Sequence, residues 1–199
     1  MLLHAQREGA DYLYVAAESV EELLAAPAAP ILPLSRREEI ASVTDPALRR
    51  AKEAVWVLLG RMAREYLGRE TAELDPIRNA HGKWCSPLCH LSLSHTDTAV
   101  AVALSSRPVG VDLEARYPRP ETARRFLTPA EQACYEQLPE AERADFLLLC
   151  WTKKEALFKE SDLPYFLPSQ MDTASLPSTS LFVNVGGVRH AVSWCCADP

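Results

Sequence analysis

The sequence predicts an α+β chain, and three observations carry that prediction. Short stretches alternate apolar and polar residues, His90–His95 and Val109–Glu114 among them, which is the period of a half-buried strand. Two longer stretches, 45–68 and 139–160, repeat their apolar residues at helical spacing. Each half also carries a capping residue followed by proline, Asp45-Pro46 and Thr128-Pro129, linked to β segments, so the halves echo one another. With 199 residues the chain is long enough for a well-buried core and leaves one or two domains open.

Taken in order, Asp11–Ala16 is rich in aromatic and β-favouring residues and reads as the first strand. A helix follows through Val20, Leu23 and Leu24. Pro27, Pro30 and Pro33 break it and make a stiff connection over 25–34. Ser35–Glu39 reads as a short capped helix. Asp45 caps a long helix with Pro46 at its first position, ending at Gly68, and Arg49, Arg50 and Lys52 form its solvated face. Leu74–Trp84 is a loop. His90–His95 and Ala99–Leu104 are strands, and Ser105–Pro108 is expected to turn a hairpin into Val109–Glu114.

Beyond Glu114, 116–120 is irregular and a helix carries Arg124, Arg125 and Phe126. Thr128 starts another helix with Glu131 as a capping-box residue, and a long helix runs from Pro139 or Glu140 to about Glu160. Prolines break the loop after Lys159, 169–180 is polar and expected to be mobile, and Leu181–Cys195 is a hairpin around Gly186-Gly187.

The formal net charge of −6, from 21 basic and 27 acidic residues, disfavours a nucleic-acid binder driven by bulk charge. No apolar run approaches the ~20 residues that span a bilayer, so no membrane segment is expected. Six cysteines occur in a chain whose first residues lack an apolar secretory core, which predicts reduced thiols and a cytoplasmic protein. Phosphate loops and dinucleotide motifs are absent.

The chemistry concentrates between Val109 and Lys159. In an extended segment Asp112 and Glu114 share one face while Val111 and Leu113 point into a core. On a helix Trp151, Glu155 and Lys159 form one stripe. Where that stripe lies over the strand end, three carboxylates and an ammonium converge, and such a cluster calls for a cation and a polyanion to share it. Magnesium with a phosphate-bearing substrate fits, since that ion takes one or two carboxylates and keeps its other positions for water and phosphate. The rival readings are a solvated strand face, a glycosidase pair at Asp112 and Glu114, and a zinc site from His81, Cys85, Cys89 and His90, whose spacing is not a paired C-x2-C framework.

These residues resemble the 4'-phosphopantetheinyl transferase superfamily in its single-chain surfactin-type branch, the holo-acyl-carrier-protein synthases. Gly110-Val111-Asp112-Leu113-Glu114 is similar to that family's G-[IV]-D-[ILV]-E. Trp151-Thr152-Lys153-Lys154-Glu155-Ala156-Leu157-Phe158-Lys159 is similar to its W-[ST]-x-K-E-A-x-x-K. Between them Arg125–Glu131 resembles R-F-[FL]-[ST]-x-x-E, and upstream Ser94-His95-Thr96 and Gly82-Lys83 resemble S-H-[ST] and the start of G-K-P. The sequence departs at Trp84, where proline is usual, at Ser92, where asparagine is common, and after Lys159, where a glycine turn is usual.

The resemblance implies two pseudo-twofold-related α/β halves with the active site between them. Residues 1–106 would contribute to coenzyme A binding, and 107–199 would carry the metal site and catalytic helix. It implies magnesium held by Asp112, Glu114 and Glu155. Glu155 would be the general base, with Lys159 neutralising the leaving phosphate, and Lys83, Ser94 and His95 would hold coenzyme A. The expected partner is an apo acyl or peptidyl carrier protein, acidic where it docks, meeting Arg116, Arg119, Arg124 and Arg125. The chain is expected to act as a monomer. A non-catalytic module of the same fold, binding carrier domains or coenzyme A, is the alternative.

Overall fold

The computed structural model describes residues 1–25, 34–161, 163–174 and 177–197. The proline-rich connection expected over 25–34 lies almost entirely outside them. The chain opens with a strand that the sequence pattern did not signal, β1 (Leu2–Glu8), which turns at Gly9, φ 61°, into β2 (Asp11–Ser19). Most of β1 is solvent-exposed, as befits an edge strand, so it lacks the apolar alternation by which strands are read. Helix α1 (Val20–Ala25) follows, then α2 (Leu34–Ala41) and α3 (Pro46–Met62).

Helix α3 starts as its residues dictate. The Asp45 carboxylate accepts from Ala47 N at 2.9 Å and Leu48 N at 3.4 Å, with Pro46 at the first position. The helix runs on as a π-helical turn, Ala63–Leu67, and stops at Gly68 with φ 64°. A two-strand ribbon, β3 (Ile77–Arg78) and β4 (Trp84–Cys85), leads to β5 (His90–His95), β6 (Ala99–Ser105) and β7 (Val109–Glu114).

The first sheet has the antiparallel order β1-β2-β6-β5. Strand β6 is buried on both faces, and its alternation sorts residues by size. Val100, Val102 and Leu104 pack with Val55, Leu58, Leu59 and Met62 of α3, while Ala99, Ala101 and Ala103 face Val111, Leu113 and Trp194 of the second sheet. Small residues let the two sheets close on one another.

The second sheet is β7-β9-β8, in which β8 (Thr179–Val185) and β9 (Val188–Cys196) form the expected hairpin with Gly186 and Gly187 at φ 58° and 78°. The hairpin expected between β6 and β7 does not form. Both edges of β6 are taken by β2 and β5, so the chain leaves that sheet and β7 pairs with β9 instead.

Three helices cover this second half: α4 (Ala123–Phe126), α5 (Pro129–Gln137) and α6 (Glu140–Glu160). The capping box is present, with Glu131 N donating to Thr128 Oγ1 at 3.3 Å and Thr128 N to Glu131 Oε2 at 2.8 Å. Glu131 does more than cap. Its Oε2 lies 2.7 Å from the fully buried Nζ of Lys154, and its Oε1 accepts from Thr173 N at 3.0 Å and Thr173 Oγ1 at 2.7 Å. Lys154 also donates to Pro168 O at 2.8 Å and to Met171 O. Pro168, Met171 and Thr173, the last two in the stretch 169–180 expected to be mobile, are therefore tied to α5 and α6 by a charged centre. Among the described residues no helix is long and apolar enough to cross a membrane, and all six cysteines are free.

Candidate active site

The site is made where α6 crosses β7. Gly110 permits the crossing: a Cβ there would sit 1.8 Å from the carbonyl oxygen of Ala156, inside the helix backbone. With Val111 and Leu113 buried between the sheets, Asp112 and Glu114 face the other way. On α6, Trp151, Glu155 and Lys159 fall on the stripe that meets them. All five line one cleft of about 560 Å³, whose other wall brings Lys52, Val55 and Trp56 from α3, Arg78, Lys83 and Trp84 from the loop and ribbon, and Ser94 and His95 from β5.

Asp112 is the hub. Its Oδ1 accepts from Lys159 Nζ at 2.7 Å and from Ser94 Oγ at 2.8 Å. Ser94 Oγ in turn accepts from Leu113 N at 3.2 Å, and Ser92 Oγ from Val111 N at 3.0 Å. Strand β5 thus holds β7 through two hydroxyls rather than a backbone ladder. Ser92, which stands where the resembled motif commonly has asparagine, is one of those supports. Lys159 also donates to Val111 O at 3.2 Å. Glu114 Oε1 accepts from the backbone N–H of Ala115 at 2.8 Å and of Arg116 at 2.7 Å, which fixes it at the strand end.

Burial and then the negative charge of Asp112 push the Glu155 carboxyl upward, with Glu114 adding to the effect and Lys159 opposing it. Glu155 is therefore a carboxylate crowded by two others, poised to take a proton. Desolvation, followed by the positive Lys159 and Lys52, holds the His95 imidazole below its usual value. Lys83 sits with its Nζ 4.6 Å from the Phe158 ring centroid.

All seven site residues expected from the sequence, Lys83, Ser94, His95, Asp112, Glu114, Glu155 and Lys159, line this cleft. The four arginines expected at a partner surface, Arg116, Arg119, Arg124 and Arg125, do not line it and are exposed. Lys52, read as solvated, is half-buried in the cleft wall 3.9 Å from Glu39. Trp84 is held edge-on against Trp56 at 5.0 Å, with the guanidinium groups of Arg36 and Arg78 at 4.7 and 4.3 Å from its ring. No spacing in the sequence joins Arg36, Trp56, Arg78 and Trp84, so only the fold gathers them.

Among the described residues no three His, Cys, Asp or Glu side chains form a ready-made metal cage. The zinc reading has no such group either: Cys89 is buried in the α3 core, whereas His90 is exposed. The donor set in the cleft, carboxylates close enough to perturb one another, still suits an ion that takes one or two of them and fills its remaining positions with water and phosphate oxygens.

Comparison with known proteins agrees with the motifs. Residues 108–193 match the model of the 4'-phosphopantetheinyl transferase superfamily. A 4'-phosphopantetheinyl transferase of Bacillus subtilis is 28% identical over 83 residues, covering 41% of this chain and 37% of that protein. The 4'-phosphopantetheinyl transferase Sfp of Bacillus subtilis strain 168 is 30% identical over 92 residues, covering 44% of this chain and 41% of that protein. The chain thus spans about two fifths of the length of these relatives.

Proposed function

We propose, on the premise of a chain whose residues 108–193 carry the pattern of the 4'-phosphopantetheinyl transferase superfamily, that it transfers the 4'-phosphopantetheine arm of coenzyme A to a serine of an apo acyl or peptidyl carrier protein. Adenosine 3',5'-bisphosphate is the other product. The observation that carries this reading is the meeting, in one cleft, of strand carboxylates Asp112 and Glu114 with Glu155 and Lys159 of α6.

In this reading Glu155, driven toward proton uptake by burial and by Asp112, accepts the proton of the carrier serine. The serine oxygen forms a bond to the phosphorus bearing the pantetheine arm as the bridging P–O bond to the nucleotide breaks. Lys159 offsets charge on the departing phosphate, and Lys83, Ser94 and His95 hold the coenzyme. One or two carboxylates of the set Asp112, Glu114 and Glu155 would hold magnesium, which when bound would disperse the negative charge of the pyrophosphate. Residues 1–106 then serve mainly the coenzyme and 107–199 the metal and the reaction. The exposed Arg116, Arg119, Arg124 and Arg125 attract an acidic carrier to a chain of net charge −6. The protein works as a cytoplasmic monomer.

The test is mass spectrometry of apo carrier proteins incubated with the chain, coenzyme A and magnesium. The expected result is a carrier heavier by the phosphopantetheine arm, lost on chelation of the metal and reduced by about 10²-fold or more in Asp112→Ala. Binding of coenzyme A and carriers without any mass gain across a panel of carriers would overturn the transferase reading.

A further inference from the structure

Just beyond α6 the chain exposes three large apolar side chains within five positions: Leu163 is 48% exposed, Tyr165 75% and Leu167 50%. A single exposed apolar residue is ordinary, but a contiguous group marks a surface made for contact. The loop is anchored by Phe166, which turns inward with its ring centroid 5.6 Å from Trp151 and 5.2 Å from Phe158. Those two rings line the cleft, so the outer face of the loop stands at the cleft's rim. Trp151 also meets Phe126 of α4 at 5.5 Å, and the short turn Pro168–Gln170 that ends the loop packs against α4. Arg124 and Arg125 of α4 are exposed beside it.

We propose that Leu163, Tyr165 and Leu167, flanked by Arg124 and Arg125, form the docking surface for the carrier protein and receive an apolar face edged with acidic side chains. This rests on the transferase reading above. Two physical requirements select that occupant. The accepting serine must come within about 3–3.5 Å of the phosphorus inside the cleft, so the partner has to seat at the rim. A chain of net charge −6 repels an acidic partner at long range, and a local pair of guanidinium groups next to apolar anchors is what orients it at short range. The patch is continuous, through Phe166 and Trp151, with the helix that presents Glu155.

The experiment compares the full chain with Tyr165→Ser/Leu167→Ser, using an apo carrier that the unaltered chain modifies. The expected result is a KM for the carrier raised by about tenfold or more, the loss typical of removing central apolar anchors. Coenzyme A affinity by calorimetry stays within about twofold, because neither residue lines the cleft. Arg124→Glu/Arg125→Glu, an independent variant at surface positions, also raises the carrier KM and weakens its salt dependence. An unchanged carrier KM in both variants overturns the docking surface while leaving the transferase reading intact. Absence of turnover by the unaltered chain overturns that reading first. A dimer of the unaltered chain that dissociates in Tyr165→Ser/Leu167→Ser assigns the patch to a second copy and overturns the proposal too.

Discussion

Substitution of Gly110 by alanine tests how tightly the geometry of the cleft depends on one missing methyl group. The added Cβ would lie 1.8 Å from Ala156 O, 2.8 Å from Ala156 C and 2.7 Å from Glu160 N. These are backbone atoms of α6, which cannot rotate aside. Real Cβ atoms essentially never approach closer than 3.0 Å, so strand and helix must part by about 1.2 Å at this point, the difference between 3.0 and 1.8 Å. Overpacking of this kind costs about 1–3 kcal/mol, which for a chain of 199 residues lowers the melting temperature by about 2–4 °C per kcal/mol.

The same displacement carries Glu155 and Lys159 away from Asp112, and a misplacement of about 1 Å is worth on the order of 10²-fold in rate. The assay pairs thermal melting with steady-state transfer to an apo carrier. Both stability and kcat should fall, with circular dichroism showing helix and sheet retained. A Gly110→Ala chain that melts lower yet keeps its kcat would refute the claim that the seat of α6 on β7 sets the rate.

Glu155→Gln should lower turnover by about 10²–10⁴-fold. In the proposed transfer the base must be ionised, so kcat/KM of the unaltered chain should fall with falling pH along a limb that vanishes in the variant. The linkage has a definite sign: a raised carboxyl adds stability below its unfolded value and loses it as pH rises through the folded one. Burying the charge is therefore a cost at neutral pH, and with divalent cations chelated Glu155→Gln should melt higher there, the gap closing in acid; a lower melting temperature under those conditions would contradict the account.

Lys154→Met should destabilise by about 3–5 kcal/mol, because it strands the buried Glu131 carboxylate. Adding Glu131→Gln should recover part of the loss in a denaturant titration. Loss of less than about 1 kcal/mol in the single variant would show the pair to be unimportant. Burial alone would raise the Glu131 carboxyl, but Lys154 and the donors at Thr128 and Thr173 outweigh it and hold it low. Its contribution is accordingly lost as the pH falls through that lowered value, and the acid sensitivity should lessen in the double variant.

Local chemistry was legible wherever it reached no further than a turn or a strand period. Asp45-Pro46, Thr128 with Glu131, and Gly186-Gly187 each specify their own cap or turn, and the alternation in Val109–Glu114 assigns Asp112 and Glu114 a common face before any fold is known. The edge strand Leu2–Glu8 escaped because an exposed strand need not alternate. The expected β6–β7 hairpin failed because strand pairing depends on which edges are already filled. The Lys154–Glu131 centre and the cleft position of Lys52 were hidden because a charged side chain reads the same whether it faces water or a partner distant in sequence.

What the sequence determined by itself is the kind of groups this protein has and the face on which each stands, since those follow from backbone periods of two and 3.6 residues. Only the tertiary structure decided that they meet. Asp112 and Lys159, 47 positions apart, come within 2.7 Å because Gly110 lets a helix settle onto a strand, and two serine hydroxyls of a neighbouring strand hold that strand in place.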